Sequence, residues 1–179
     1  MDRTGAFPRR SCPLRAACVK LGYGSDVPET RRYGTDAWAL EVPAGILGRA
    51  VEPPSDSLYD SMFILRGWLH DSAPATLVVT TRPRKGVTLR AEARRLGAGF
   101  EQPPGEGTAI EVAGAHGARR IDGTIDLGEG VSEDGIDRVA TIVAAGRRRL
   151  VLLSIRTRPA DEAAAEVERT IRSFALLDA

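Results

Sequence analysis

Residues 136–157 read IDRVATIVAAGRRRLVLLSIRT. The run Leu150-Val151-Leu152-Leu153 is apolar at consecutive positions. Side chains alternate across a pleat, so a strand over Arg149 to Thr157 buries apolar groups on both faces and belongs in the middle of a sheet. The segment before it, Arg138 to Ala145, places Val139, Thr141 and Val143 on one side and Ala140, Ile142 and Ala144 on the other. Ala145-Gly146-Arg147 supplies the turn between them, and the two strands form a hairpin.

A helix follows. Pro159 sits where a helix takes its first residue, and Asp161 and Glu162 lie in the first turn, near the positive end of the helix dipole. An inward stripe of Ala160, Ala164, Val167, Ile171 and Phe174 predicts a helix running to Leu177 with one face on the sheet. Glu162, Glu166, Arg169 and Arg172 occupy the opposite face.

Upstream, Trp38 to Val42 alternates, Pro43-Ala44-Gly45 turns, and Ile46 to Val51 is a second short strand. Ser61 to Trp68, with Met62-Phe63-Ile64-Leu65 at its centre, reads as another strand buried on both faces, paired through Ala73-Pro74 with Thr76 to Thr81. Thr88 caps a helix to Leu96 whose apolar stripe is Leu89, Ala93 and Leu96. Ala109 to Val112 and Arg119 to Asp126 make a further hairpin. In its second strand Ile121, Gly123 and Ile125 face one way and Arg120, Asp122, Thr124 and Asp126 the other, which predicts one wet face or an edge position.

Hairpin-length links between most strands imply antiparallel neighbours. The fold class is α+β: a single domain with an antiparallel sheet of six to eight strands covered by helices, an α-β-α sandwich.

The 179 residues carry a formal net charge of +1. Residues 1–35 hold seven Lys/Arg against three Asp/Glu, which leaves the remainder at a net −3. Residues 1–34 are therefore read as a basic N-terminal extension, either with a short amphipathic helix over Pro13 to Leu21 and a loop over Gly22 to Arg32 or disordered, and residues 35–179 as the folded domain. Both cysteines, Cys12 and Cys18, lie in the extension, so no disulfide framework holds the body. With no run of 18 apolar residues and no signal-peptide core in the first 30, a cytoplasmic protein without a membrane span is the expectation.

Chemistry is sparse. His70 and His116 lack Cys or Glu at ligand spacing. Cys12 and Cys18 match neither a redox pair nor a zinc half-site, and the acidic loop from Asp126 to Asp137 lacks the EF-hand pattern. No nucleophile elbow, phosphate-binding loop or dinucleotide fingerprint occurs, so no catalytic, metal or cofactor residue is assigned and no cofactor is expected. Two basic clusters, Arg82-Pro83-Arg84-Lys85 and Arg147-Arg148-Arg149, read as solvated hairpin tips. Without stacking aromatics they are no nucleic-acid motif.

Trp38-Ala39-Leu40-Glu41-Val42-Pro43-Ala44-Gly45, the segment Gly114 to Gly123, and the finish from Arg147 to Arg172-Ser173-Phe174 resemble the opening strand, middle hairpin and closing strand and helix of one fold group. That group contains PsbP, the Mog-type Ran-release factor, LpqN and the DcrB-like proteins. Members often place Trp shortly after the proline turn, where this chain has Ile46. The resemblance covers residues 36–177 and implies a sheet sandwiched by helices, in a group that mostly binds other proteins. The expected function is non-enzymatic protein binding of a chaperone or adaptor kind, the partner being another protein or peptide segment and not nucleic acid. Because the first helix is short, apolar surface should stay open beside Leu89, Ala93 and Leu96, the candidate partner-binding residues. The alternatives are a subunit of a larger, secretion-type assembly, or a hydrolase or metal-dependent enzyme whose site is assembled only in space.

Overall fold

A computed structural model describes residues 30–70, 73–126, 136–159 and 161–177. Seven strands form the main sheet: β3 (Leu47–Val51), β4 (Ser61–His70), β5 (Ala73–Pro83), β6 (Thr108–Ile110), β7 (Gly117–Asp126), β8 (Ile136–Ala145) and β9 (Arg149–Thr157). They lie in the order β3-β4-β5-β9-β8-β7-β6, every neighbour antiparallel. The hairpin of residues 136–157 thus supplies the sheet's interior, as its apolar runs require. A second sheet, in the order β1-β2-β10, is made of β1 (Thr30–Gly34), β2 (Trp38–Pro43) and β10 (Ala175–Leu176). The helices are α1 (Leu89–Gly97) and α2 (Asp161–Ser173).

The main sheet has two differently covered faces. On the first, Phe63, Leu65, Leu77, Val79, Val151, Leu153, Ile155, Ala140 and Ile142 pack beneath α2 and the small sheet, with Trp38, Leu40, Val167, Ile171 and Phe174 above them. Phe63 joins the layers: the rings of Tyr33 and Trp38 each lie 5.7 Å from it, the second edge-on, a favoured aromatic geometry. On the second face α1 covers only one side of the sheet, where Ala93 and Phe100 meet Ile121, Val139 and Val143.

Several expectations need correction. The reading of Gly22 to Arg32 as loop fails from Thr30 onward: β1 begins there and pairs with β2 in register Thr30 to Pro43, so ordered sheet starts before residue 35. Tyr33 was not seen as a core residue, yet it packs against the core and its hydroxyl donates to the Ile46 carbonyl at 3.0 Å. The last helix stops at Ser173, short of Leu177. The Ser173 hydroxyl lies 2.7 Å from the Thr170 carbonyl and 3.0 Å from that of Glu41, and it accepts the Glu41 N–H at 2.9 Å. This ties the helix end to β2, and the chain then completes the edge of β2 as β10. Helix phase also differs: Ala163, at 1% exposure, takes the inward place assigned to Ala164, which is exposed.

β4 is buried on one face only. Phe63 and Leu65 are buried, while Met62 and Ile64 are half-buried, and Val78 of β5 likewise. Of the basic cluster at residues 82–85, Arg82 is no solvated tip but a buried residue paired with Glu92. The helix proposed over Pro13 to Leu21, both cysteines and the acidic loop 127–135 lie outside the described residues.

Candidate functional site

Leu89, Ala93 and Leu96 point at the sheet. Ala93 is fully buried against Phe100, Ile121, Val139 and Val143, and Leu89 and Leu96 are half-buried along both the cluster around Ile121 and the one formed by Ala145, Leu150 and Leu152. Thr88 caps the helix as the sequence predicts, its hydroxyl accepting the Ala91 N–H at 3.2 Å and so satisfying an orphan donor of the first turn. Phe100 fits over Gly123, where any side chain would begin 2.0 Å from its ring.

Ion pairs fasten the helix. Arg82 on β5 reaches Glu92 at 2.6 Å, and Glu92, 1% exposed, also holds Arg95 at 2.7 Å, one turn along. Arg95 donates to the Tyr59 hydroxyl at 3.1 Å. The hydrogen bonds that Arg95 donates to Glu92 raise the Arg95 pKa above its ordinary value, against a smaller opposing effect of burial, so this guanidinium stays charged. Elsewhere on α1, Arg94 and Arg90 pair with Glu106, whose carboxyl is held below its ordinary pKa chiefly by the hydrogen bond from Arg94.

Because α1 spans only nine residues, its cover ends near β9. Strand register orders what lies beyond. One row across this face runs Arg49, Ile64, Val78, Ser154, Thr141, Ile121, and its neighbour runs Val51, Met62, Thr80, Leu152, Val143. The right-hand members lie under α1. The left-hand members Val51, Met62, Ile64 and Val78, each partly exposed, together with Leu47 at 62% and Trp68 at 54% exposure, form an apolar strip over β3, β4 and β5 that no helix among the described residues covers. Arg49 and Arg66 stand within the strip, and neither makes an ion pair among the described residues.

The opposite face holds a cavity of about 420 Å³ between α2 and the ends of β7, β8 and β9. Its apolar floor includes Ala140, Ile155, Ala163 and Val167, and Arg120, Asp122, Thr124 and Arg138 stand around it. The wet face predicted for β7 is this wall. Arg120 is clamped by Asp122 at 2.8 Å and Glu168 at 2.6 Å. Burial acts against its charge, but these two carboxylates outweigh it and raise its pKa. Among the described residues that line the cavity, both acids are thus engaged by one arginine and none is His, Cys or Ser. His116 is exposed. No group of three metal-ligating side chains occurs among the described residues, and no helix among them is long and apolar enough to cross a membrane.

No protein-family model matches this chain, and no curated protein matches it significantly. Among solved structures, LpqN, involved in cell envelope biogenesis of Mycobacterium tuberculosis, is similar at a TM-score of 0.46 and 18% identity, over 78% of this chain and 82% of that one. The cyanobacterial PsbP of Synechocystis sp. PCC 6803 is similar at 0.46 and 15% identity, over 88% and 98%. A Bacteroides thetaiotaomicron protein follows at 0.45 and 9%, over 78% and 44%. These are weak likenesses of fold, at TM-scores of 0.45 to 0.46 and identities of 9% to 18%, so function rests on the surfaces just described.

Proposed function

We propose that this is a non-catalytic binding protein of chaperone or adaptor kind, which holds an amphipathic polypeptide segment on the open strip of the sheet beside α1. One observation carries the reading: among the described residues Leu47, Val51, Met62, Ile64, Trp68 and Val78 share one face of β3, β4 and β5, interrupted only by Arg49, Arg66 and threonines, that neither helix covers. Side chains of this size are normally placed against another element, and an exposed apolar patch rimmed by polar groups marks a partner site. Arg49 and Arg66 select the partner's character. A helix with an apolar stripe flanked by Asp or Glu would bury the strip and neutralise both guanidinium groups.

The exposed edge of β3 bounds the strip on one side and α1, with Leu89 and Leu96 half-buried beneath it, on the other. The cytoplasm is the compartment that fits a body without cysteine.

The test is binding of a labelled amphipathic acidic peptide, and of host proteins captured in parallel, by wild type, Ile64→Glu and Leu96→Glu. Ile64→Glu should abolish both while still melting cooperatively, because its side chain is partly exposed on the sheet face. Leu96→Glu should weaken binding where the strip meets α1. Undiminished binding by Ile64→Glu refutes the strip as the site.

A further inference from the structure

The two basic clusters, separated by more than sixty residues of sequence, are brought together at one end of the main sheet. Pro83 stands opposite Arg149 at the end of the β5 and β9 pairing. The Arg84 N–H donates to the Arg148 carbonyl at 2.9 Å, and the Arg84 guanidinium donates to the Gly146 carbonyl at 3.2 Å. Those bonds clasp the loop after β5 to the hairpin between β8 and β9. Arg84, Lys85, Arg147 and Arg148 are exposed and Arg149 is half-buried. None of the five takes part in an ion pair among the described residues. Arg82, the remaining cation of the cluster, is withdrawn into the interior by Glu92. A chain with a net charge of only +1 thus gathers five unneutralised cations on two adjoining tips.

An apolar residue accompanies them. Asp60 N–H donates to the Thr81 carbonyl at 2.8 Å, two residues before Pro83, and Tyr59 packs against the cluster of Ala145, Leu150 and Leu152, as does Val87 just past the basic loop. Their neighbour Leu58 is 61% exposed. Clustered Lys and Arg beside an exposed aliphatic side chain match an anionic bilayer surface, where headgroups meet the charges and the aliphatic group enters the acyl boundary. Nucleic acid fits less well, since single strands are held by stacking on aromatic rings, and Tyr59 is half-buried with its hydroxyl engaged by Arg95.

We propose that this end of the sheet docks the protein on an anionic lipid surface, with Arg84, Lys85, Arg147, Arg148 and Arg149 meeting headgroups and Leu58 inserting. The surface lies at the sheet end, whereas Leu47, Ile64 and Trp68 of the apolar strip lie on a face toward the other end, so a membrane-held protein keeps that part of the strip available.

The test is co-sedimentation of the full chain with phosphatidylcholine vesicles, with and without phosphatidylglycerol. Retention should require the anionic lipid and fall as salt screens the charges. Arg147→Gln with Arg148→Gln should weaken it roughly 25-fold, about fivefold for each charge removed. Leu58→Ser should weaken it without altering the salt dependence. Ile64→Glu should bind vesicles like wild type, which separates failure here from failure of the polypeptide site. No retention, equal retention on neutral vesicles, or unaltered retention by the double variant overturns the proposal. So does tighter binding of a single-stranded oligonucleotide that the double variant abolishes, which would assign the patch to nucleic acid.

Discussion

Replacing Glu92 by Gln should destabilise the protein more than almost any other change confined to one charge. Glu92 is 1% exposed and sits between Arg82, whose side chain is 9% exposed, and Arg95, whose side chain is 45% exposed. Gln keeps the volume and removes the charge, leaving the Arg82 guanidinium desolvated without a counter-ion, while its Nε already lacks a hydrogen-bond partner. Removing one member of a buried pair costs about 3 to 5 kcal/mol, a large share of the roughly 5 to 15 kcal/mol that holds a domain together. The melting midpoint should fall by about 6 to 20 °C for a chain of this size. Arg95 loses a partner too, but its exposed end is hydrated and adds little. Urea denaturation gives the loss directly. The double variant Arg82→Met with Glu92→Leu removes both charges and should cost less than Glu92→Gln alone, since the penalty lies in the stranded charge. A loss below about 1 kcal/mol, or a double variant equal to the sum of its singles, would refute the desolvated pair.

Phe174→Ala should cost about 3 to 5 kcal/mol, because Phe174 is 1% exposed beneath the junction of α2 and β10; urea melts measure it. A chain beginning at Thr30 should keep the full-length midpoint, whereas one beginning at Thr35 loses β1 and the Tyr33 contacts and should melt lower by at least about 4 °C. Equal midpoints for the two truncations would show that β1 contributes nothing. Glu106 should titrate below the ordinary carboxylate range in a carbon-detected NMR pH series, and Arg94→Ala should move it back up. Its folded pKa is the lowered one, so its contribution to stability is complete above the ordinary carboxylate pKa and disappears as pH falls through the folded value.

The main sheet was legible because most of its strands bury at least one face and are joined by short turns. The consecutive apolar residues at 150–153 signalled a strand covered on both sides, and Leu150 and Leu152 do meet one cover while Val151 and Leu153 meet the other. The small sheet was not legible for the opposite reason. β1 is the segment Thr30-Arg31-Arg32-Tyr33-Gly34, with none of its five residues buried, and a strand held by backbone pairing along one edge leaves little hydrophobic pattern to read. β10 is two residues long, so no periodicity can mark it. Its formation depends on Ser173 reaching Glu41, a contact 132 residues apart in sequence.

The surfaces were legible only where composition and face coincide. Met62, Ile64 and Val78 look like core residues in sequence, since apolar residues on both sides of a strand predict two covers without saying whether the second cover exists. What leaves them open is the short length of α1, which the spacing of Leu89, Ala93 and Leu96 did indicate. Conversely, Arg120, Asp122 and Thr124 marked a wet face, but Ala140 and Ala163 carried no sign that they floor a cavity, because alanine is equally at home in a tight helix–sheet contact. The basic tips show the same limit for charge. Arg82, Arg84 and Lys85 are indistinguishable as a sequence cluster, yet Arg82 lies on the face covered by α1 and finds Glu92, while Arg84 and Lys85 lie past the last paired residue of β5. Position relative to the sheet end, rather than residue type, separates the cation that fastens a helix from those left free to meet an anionic surface.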